Sequence, residues 1–316
     1  MEMFKLIPAC KDYLWGGNRL ATEYGIKYDG DILAEAWLLS CHKDGCSVIE
    51  GGEYNGKTLP ELIELIGSDF LGANCKGLQD FPILIKFIDA KKPLSIQVHP
   101  DDEYALEHEN QLGKTEMWYV LDAKEGAFLY QGFSHEIGRE EFKERIEDNT
   151  LEEVLNKVYV KKGDVLFIPP RTLHAIGEGI LIAEIQQNSN VTYRIYDYGR
   201  VGADGKPRQL HIKESLDVTE LTRPEAFSSG AEHLVSCNFF DVDHVDVSDG
   251  NTYESVADER SFVSIIAIEG NSVITCRGKS IELKKGESLF VPAASGDFEI
   301  SGNAQFLITR IPDKIK

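Results

Sequence analysis

Short apolar runs, many of them alternating residue by residue with polar positions, fill most of this 316-residue chain. Over residues 93–102, Leu94, Ile96 and Val98 alternate with Ser95, Gln97 and His99. A strand turns successive side chains to opposite faces, so Gln97 and His99 point the same way. Residues 81–89 form an almost unbroken apolar run and predict a buried strand, interrupted by Lys86. Further strands are predicted at 47–50, 115–121, 126–130, 164–168, 175–176, 180–186 and 191–195, and through most of 237–312. Residues 34–41 fit a short helix or a strand.

Helical spacing is confined to a few places. Residues 58–66 predict a short helix, with Thr58 as its cap, Pro60 in the first turn and Gly67 at its end. Residues 101–108 suit a short helix or turn, with Asp101 and Asp102 at the electropositive end. Between 132 and 159 the period becomes helical. Residues 138–146 are amphipathic, and Thr150 with Glu153 has the spacing of a capping box. Short strands, frequent turn residues and little helix together predict a mainly β chain of jelly-roll type.

Composition shifts near 222–230, where a linker is expected after a loop carrying Gly199, Gly202 and Gly205. The expected division is a first domain over 1–225, with a helical insert near 138–158, and a second over 231–316. The spacing Gly163-x5-Pro169 recurs as Gly286-x5-Pro292. The first copy leads to His174; the second runs into Ala293-Ala-Ser-Gly296 with no histidine. The second domain is therefore expected to repeat the architecture without a metal, in a packing or pocket-closing role.

A net charge of −20 argues against nucleic acid and anionic membrane as partners. An anionic substrate would need a local basic pocket. No apolar stretch is long enough to cross a bilayer, and the first residues lack a charged segment leading into an apolar one. The expectation is a cytoplasmic protein. Its six cysteines are scattered with no Cys-x-x-Cys pair, as for free thiols in a reducing compartment. Cys41-His42 with Cys46 lacks the second half of a zinc ribbon. The oligomeric state, monomer or homodimer, is left open.

Chemistry gathers in three stretches. Gln97 and His99 share a strand face, Glu116 heads the next apolar strand, and His174 follows a third. Two imidazoles, a carboxylate and an amide suit an open catalytic zinc or non-haem iron site. Singly, each is ordinary: a histidine beside a strand, or a glutamate at a strand end.

As a set, these residues resemble the cupin pattern. Gly163-x5-Pro169 followed by His174 is similar to the second cupin motif, with Arg171 where a glycine usually sits. Gln97-Val-His99 stands where the first motif carries a histidine pair. The variant resembles the type I phosphomannose isomerase family over nearly the whole chain. The likeness rests on Tyr13-Leu-Trp-Gly-Gly17, Ser95-Ile-Gln-Val-His-Pro100, Gly113-Lys-Thr-Glu-Met-Trp-Tyr119, Ile168-Pro-Pro-Arg-Thr-Leu-His-Ala175 and Asn190-Val-Thr-Tyr-Arg-Ile-Tyr-Asp197.

That resemblance implies two cupin barrels, a strand at 34–41, and the interconversion of mannose 6-phosphate and fructose 6-phosphate through a cis-enediol. It implies one zinc ion per chain, held by Gln97, His99, Glu116 and His174. Arg194 matches the family's active-site arginine; an arginine stays protonated, so its expected task is to face the enediolate or a substrate oxygen. An ion pair with Asp197 is its plain structural alternative. Lys114 shares the strand face of Glu116 and is a candidate proton carrier or a substrate contact. Some relatives have a histidine before this lysine, where this chain has Gly113, and an aspartate where it has Asn190. For the sugar phosphate, Trp15, Ser95, Lys86 and Arg171 are candidate contacts, with Arg200, Arg208 and Lys213 as further cations. The competing readings are an iron(II) cupin dioxygenase and a non-catalytic sugar-binding module.

Overall fold

The computed structural model describes residues 1–201, 205–248 and 250–313; Gly202 of the glycine-bearing loop lies outside the described residues. Two compact units emerge. One comprises Met1–Lys11, Asn18–Phe87 and Ser229–Lys316; the other comprises Asp12–Gly17 and Ile88–Ser228. The mainly β, jelly-roll reading of the sequence holds. No described helix is long and apolar enough to cross a membrane.

In the unit built on Ile88–Ser228, one sheet runs in the order Leu155–Tyr159, Phe128–Phe133, His174–Ala175, Ile96–Val98 and Tyr193–Tyr196, all antiparallel. Alternation sorts its side chains. Ile96, Val98, Ala175, Tyr193 and Ile195 join one buried cluster with Phe142, Leu151, Val154 and Val218. The helical segment thus covers one face of the sheet, and the helix Arg139–Glu147 buries Phe142 among otherwise exposed or half-buried residues. Gln97, His174 and Arg194 have the opposite parity and leave by the other face. Val165–Ile168, Glu116–Ala123 and Ile180–Gln187 pair antiparallel in a second sheet.

The helical segment is shorter than its periodicity suggests. It comprises Arg139–Glu147 and a single 3-10 turn, Leu151–Glu153, after which Leu155–Tyr159 is extended. The capping box expected at Thr150 does not form. Thr150 lacks the extended backbone of a cap and makes no side-chain capping bond, while the Glu153 carboxylate accepts from Arg145 at 2.7 Å. The box at Thr58 does form. Its hydroxyl accepts from Glu61 N–H at 3.3 Å, and the Glu61 carboxylate accepts from Thr58 N–H at 2.7 Å, opening the helix Leu59–Ile66. Asp101 caps Asp102–His108 by accepting from Tyr104 N–H at 3.0 Å. Residues 35–39 are a strand.

In the other unit a nine-stranded antiparallel sheet holds all the C-terminal strands from His233 to Arg310. The N-terminal strand Phe4–Ile7 pairs in register with Ser288–Val291, Phe4 opposite Phe290, and carries Val48–Glu50 on its far side. Met3 lies in one buried core with Val263, Ile265, Phe298 and Phe306. The C-terminal strands therefore fold around the first residues of the chain. All six cysteines are free thiols.

Candidate metal centre

Gln97 is the middle residue of Ile96–Val98, and the register sets His174 opposite it on one neighbouring strand and Arg194 on the other. A row His174–Gln97–Arg194 thus crosses three strands on one face. His99 continues the parity of Gln97 one step past the strand end. From the second sheet, Glu116 enters at the head of its own strand, opposite Ile168 and Gln186.

These pieces converge. One ligand atom each from His99, Glu116 and His174 lies within 4.8 Å of the others, and all three residues are buried. His99 Nε2 is 3.6 Å from one Glu116 oxygen and His174 Nε2 is 3.3 Å from the other. The imidazoles are oriented from behind. His99 Nδ1–H donates to the Val191 carbonyl at 2.8 Å, and His174 Nδ1–H donates to the Thr172 carbonyl at 2.9 Å. A backbone carbonyl on Nδ1 fixes the tautomer and leaves the Nε2 lone pair facing the group, the usual support of a metal-bound histidine. Burial pushes the His174 imidazole down to about 4, against the opposing effect of the Thr172 carbonyl. It is therefore neutral and able to ligate at neutral pH.

Gln97 lies beside the set. Its amide nitrogen is 3.4 Å from His174 Nε2, and its oxygen accepts from Ser95 Oγ at 3.4 Å. A half-turn of the amide presents the oxygen instead, and Ser95, which can donate or accept, serves both orientations. Two imidazoles, a carboxylate and an amide oxygen fit a borderline divalent cation such as zinc.

Lys114 Nζ stands beside the ligands, 2.7 Å from Glu116 and 3.7 Å from Glu184, and donates to His99 Nε2 at 3.3 Å. Glu184 was not singled out in the sequence. An acid inside the apolar run 180–185 was the available signal, and its other oxygen accepts from the Trp118 indole at 3.0 Å. Gly113, before the lysine, has no room for a side chain: a Cβ there would sit 2.4 Å from the Asp101 carbonyl carbon.

Arg194 donates from Nε to Ser95 Oγ at 3.2 Å and from Nη1 to the Gln209 carbonyl at 3.2 Å. Asp197 is instead clasped by Arg200 and Arg208. Burial, which would raise its carboxyl, is outweighed by those hydrogen bonds, so it is held below the ordinary carboxylate range. Burial, then Arg208, lowers Arg194 from the usual arginine value.

Arg171 has a φ of +71°, a left-handed backbone at the position where the motif usually has glycine. Its N–H donates to the His99 carbonyl at 2.7 Å, and its half-exposed guanidinium lies 3.4 Å from Asp101 and 3.9 Å from Glu220. Ser95 is buried between Gln97 and Arg194. Trp15 is buried, stacked on Tyr13 at 5.6 Å, and its carbonyl accepts from Lys92 N–H at 2.9 Å. Lys86 belongs to the other compact unit, buried 3.9 Å from Glu35 and over the Trp37 ring.

A family model described as the catalytic domain of type I phosphomannose isomerase matches residues 3–129, and one described as a mannose-6-phosphate isomerase cupin domain matches residues 231–311. The mannose-6-phosphate isomerase ManA of Bacillus subtilis (strain 168) is 37% identical over 314 residues, spanning 96% of this chain and 97% of that protein. The mannose-6-phosphate isomerase of Streptococcus mutans is 37% identical over 307 residues, 93% of each chain. Among solved structures, that of a Bacillus subtilis mannose 6-phosphate isomerase superposes with a TM-score of 0.89 at 34% identity, covering 98% of this chain and 99% of its own. With identity of this degree sustained from end to end, the chain belongs to the type I phosphomannose isomerase family.

Proposed function

We propose that this chain interconverts D-mannose 6-phosphate and D-fructose 6-phosphate through a cis-enediol, with one zinc ion held by Gln97, His99, Glu116 and His174. The observation that carries the reading is the convergence of His99, Glu116 and His174 within 4.8 Å, with Arg194 on the same sheet face. When bound there, zinc would supply Lewis acidity toward the reacting oxygens of the substrate, those at C1 and C2.

The chain's own groups do the rest. Lys114, set among Glu116, Glu184 and His99, carries the proton that leaves one of the two carbons and returns it to the other through the enediol, while a second proton passes between their oxygens as carbonyl and hydroxyl exchange places. Arg194 stays protonated and faces the negative charge that develops on the enediolate. Ser95 orients both Gln97 and Arg194. Arg171, with its half-exposed guanidinium on a left-handed turn, takes the phosphate, and Trp15 borders the sugar. Lys86, engaged by Glu35 and Trp37, is assigned no substrate contact.

The test is a coupled isomerase assay on chelated protein and again after zinc is restored, with metal content measured alongside. Activity lost and regained supports the reading. His99→Ala and His174→Ala are expected to lose zinc; Arg194→Ala is expected to keep zinc and lose turnover. Sugar phosphate bound but unchanged in every metal state would leave a binding module, and oxygen-dependent turnover would leave an iron dioxygenase.

A further inference from the structure

Among the described residues, Tyr193–Tyr196 is the last strand of its sheet, paired on one side only, with Ile96–Val98. An edge strand leaves backbone N–H and C=O groups in need of partners on its open side. At Arg194 a single residue supplies both. Arg194 N–H donates to His211 Nδ1 at 3.2 Å, and His211 N–H donates to the Arg194 carbonyl at 2.7 Å. Two residues earlier, the Gln209 carbonyl accepts from the Arg194 guanidinium at 3.2 Å. The segment from Gln209 to His211 therefore holds Arg194 by its backbone and by its side chain, and Ser95 holds Nε from the other side at 3.2 Å.

The imidazole is not used for what its place in the chain suggests. His211 occupies the cap position of the helix Ile212–Val218 and makes no side-chain capping bond. Its ring is turned to the strand instead, 5.9 Å from that of Tyr193 between centroids. A backbone N–H can come from any residue except proline, but the bond from Arg194 N–H needs a side-chain acceptor at the Nδ1 position. Burial, then the charge of Arg194, hold the imidazole below the ordinary histidine value, which keeps that lone pair available at neutral pH.

We propose that His211 is a positioning residue for the isomerisation: its Nδ1 lone pair fixes the backbone at Arg194, and with the Gln209 carbonyl it sets where the guanidinium stands. This rests on the role given above to Arg194. His211 touches no reacting atom. Its contribution passes through the arginine, so its removal should lower the rate of the chemical step and leave substrate binding and the metal in place.

The experiment uses the full-length, zinc-loaded protein, with kcat, KM and zinc content measured for each variant. His211→Leu removes the acceptor; a misplacement of about 1 Å at a catalytic group can cost about 100-fold, and a fall in kcat of at least about tenfold is expected. KM should stay within about twofold, since a transition-state interaction is being lost. His211→Asn, whose amide oxygen can take the place of Nδ1, should recover most of the lost turnover. In an Arg194→Ala background, His211→Leu should lower kcat no further, because residues acting as one unit are not additive. Zinc content should be unchanged throughout.

Full kcat in His211→Leu, with Arg194→Ala inactive, overturns the inference and leaves the functional reading standing. An additive loss in the double variant, or a loss shared equally by the asparagine and leucine variants, also overturns it. Full turnover in Arg194→Ala refutes the role of the arginine itself, and the inference with it. If His211→Leu does not fold, His211→Gln replaces it, keeping an amide but moving the acceptor one bond further out. Equal kcat in the asparagine and glutamine variants then overturns the proposal.

Discussion

Gly113→Ala tests how closely the lysine beside the proposed metal ligands is held. The glycine passes hard against the turn that follows His99. An alanine Cβ would lie 2.4 Å from the Asp101 carbonyl carbon, 2.5 Å from Asp102 N and 2.7 Å from the Pro100 oxygen, all backbone atoms. Ordinary contacts between carbons begin near 3.5 Å, so the two segments must separate by about 1 Å. That separation strains two bonds joining them, Gly113 N–H to Asp102 Oδ1 at 2.8 Å and Lys114 N–H to the Pro100 carbonyl at 3.1 Å. Each such bond contributes about 1 kcal/mol net, and overpacking a tight site costs about 1–3 kcal/mol. A loss of about 2–5 kcal/mol follows from these two effects together. The assay is urea denaturation of the two proteins side by side, followed by tryptophan fluorescence. Lys114 lies next in the chain, so turnover should fall as well. An alanine variant within about 0.5 kcal/mol of the parent would refute the steric argument, because surface-like tolerance is what that figure describes.

Three further outcomes are expected. Arg171→Gly should leave stability equal or raise it by up to about 1 kcal/mol, since a left-handed residue with a Cβ costs about 1–2 kcal/mol and glycine returns part of that as unfolded-state entropy; KM for the sugar phosphate should rise, measured in the isomerase assay. Glu116→Gln should weaken zinc binding by about tenfold or more, read by competition with a chromophoric chelator, because a charged ligand becomes a neutral one. Asp197→Asn leaves Arg200 and Arg208 without their shared carboxylate. The folded-state carboxyl is depressed, so its contribution is fully present above the unfolded value of about 4 and is lost as pH falls through the lower folded value. The stability gap between parent and Asp197→Asn should therefore be constant from pH 7 to about 5 and close as the pH is lowered further, as followed by denaturation at each pH.

Much of the site was legible because it is built on local parity. Gln97 and His99 could be put on one face from their spacing alone, and the faces seen at Ile96 and Val98 agree. The helix at Leu59–Ile66 was legible for a similar reason, since Thr58 and Glu61 complete their box within one turn. Thr150 and Glu153 have the same spacing and fail, because Arg145, on the helix just before them, takes the glutamate first. What spacing cannot give is register between distant strands. His174 and Arg194 flank Gln97 because two strands far downstream pair beside it, and no short window contains that information. Glu184 offers only its charge inside an apolar run, and His211 offers no signal of its own, on the same ground: each acts on a residue that only the pairing brings near. Asp197 pairs with Arg200 and Arg208 rather than with Arg194, and spacing could not show this, because the strand is bulged after Arg194 and ends at Tyr196, so its alternation does not carry through to Asp197.

The four proposed donors are not equivalent in how they are prepared. His99 and His174 each lean on a backbone carbonyl, which has one hydrogen-bonding sense and so fixes the imidazole. Glu116 arrives from a separate sheet with Lys114 at 2.7 Å, and a carboxylate offers the same oxygen from either side. Gln97 alone has two unlike ends, and the end facing His174 is the nitrogen. Its support is correspondingly different: Ser95 has a hydroxyl, which donates to the amide oxygen in one orientation and accepts from the amide nitrogen in the other. A carbonyl in place of Ser95 Oγ would hold the amide in one sense only, and an apolar residue would hold it in neither. The same hydroxyl also accepts from Arg194 Nε, so the residue that lets the fourth donor turn is the one against which the arginine is set.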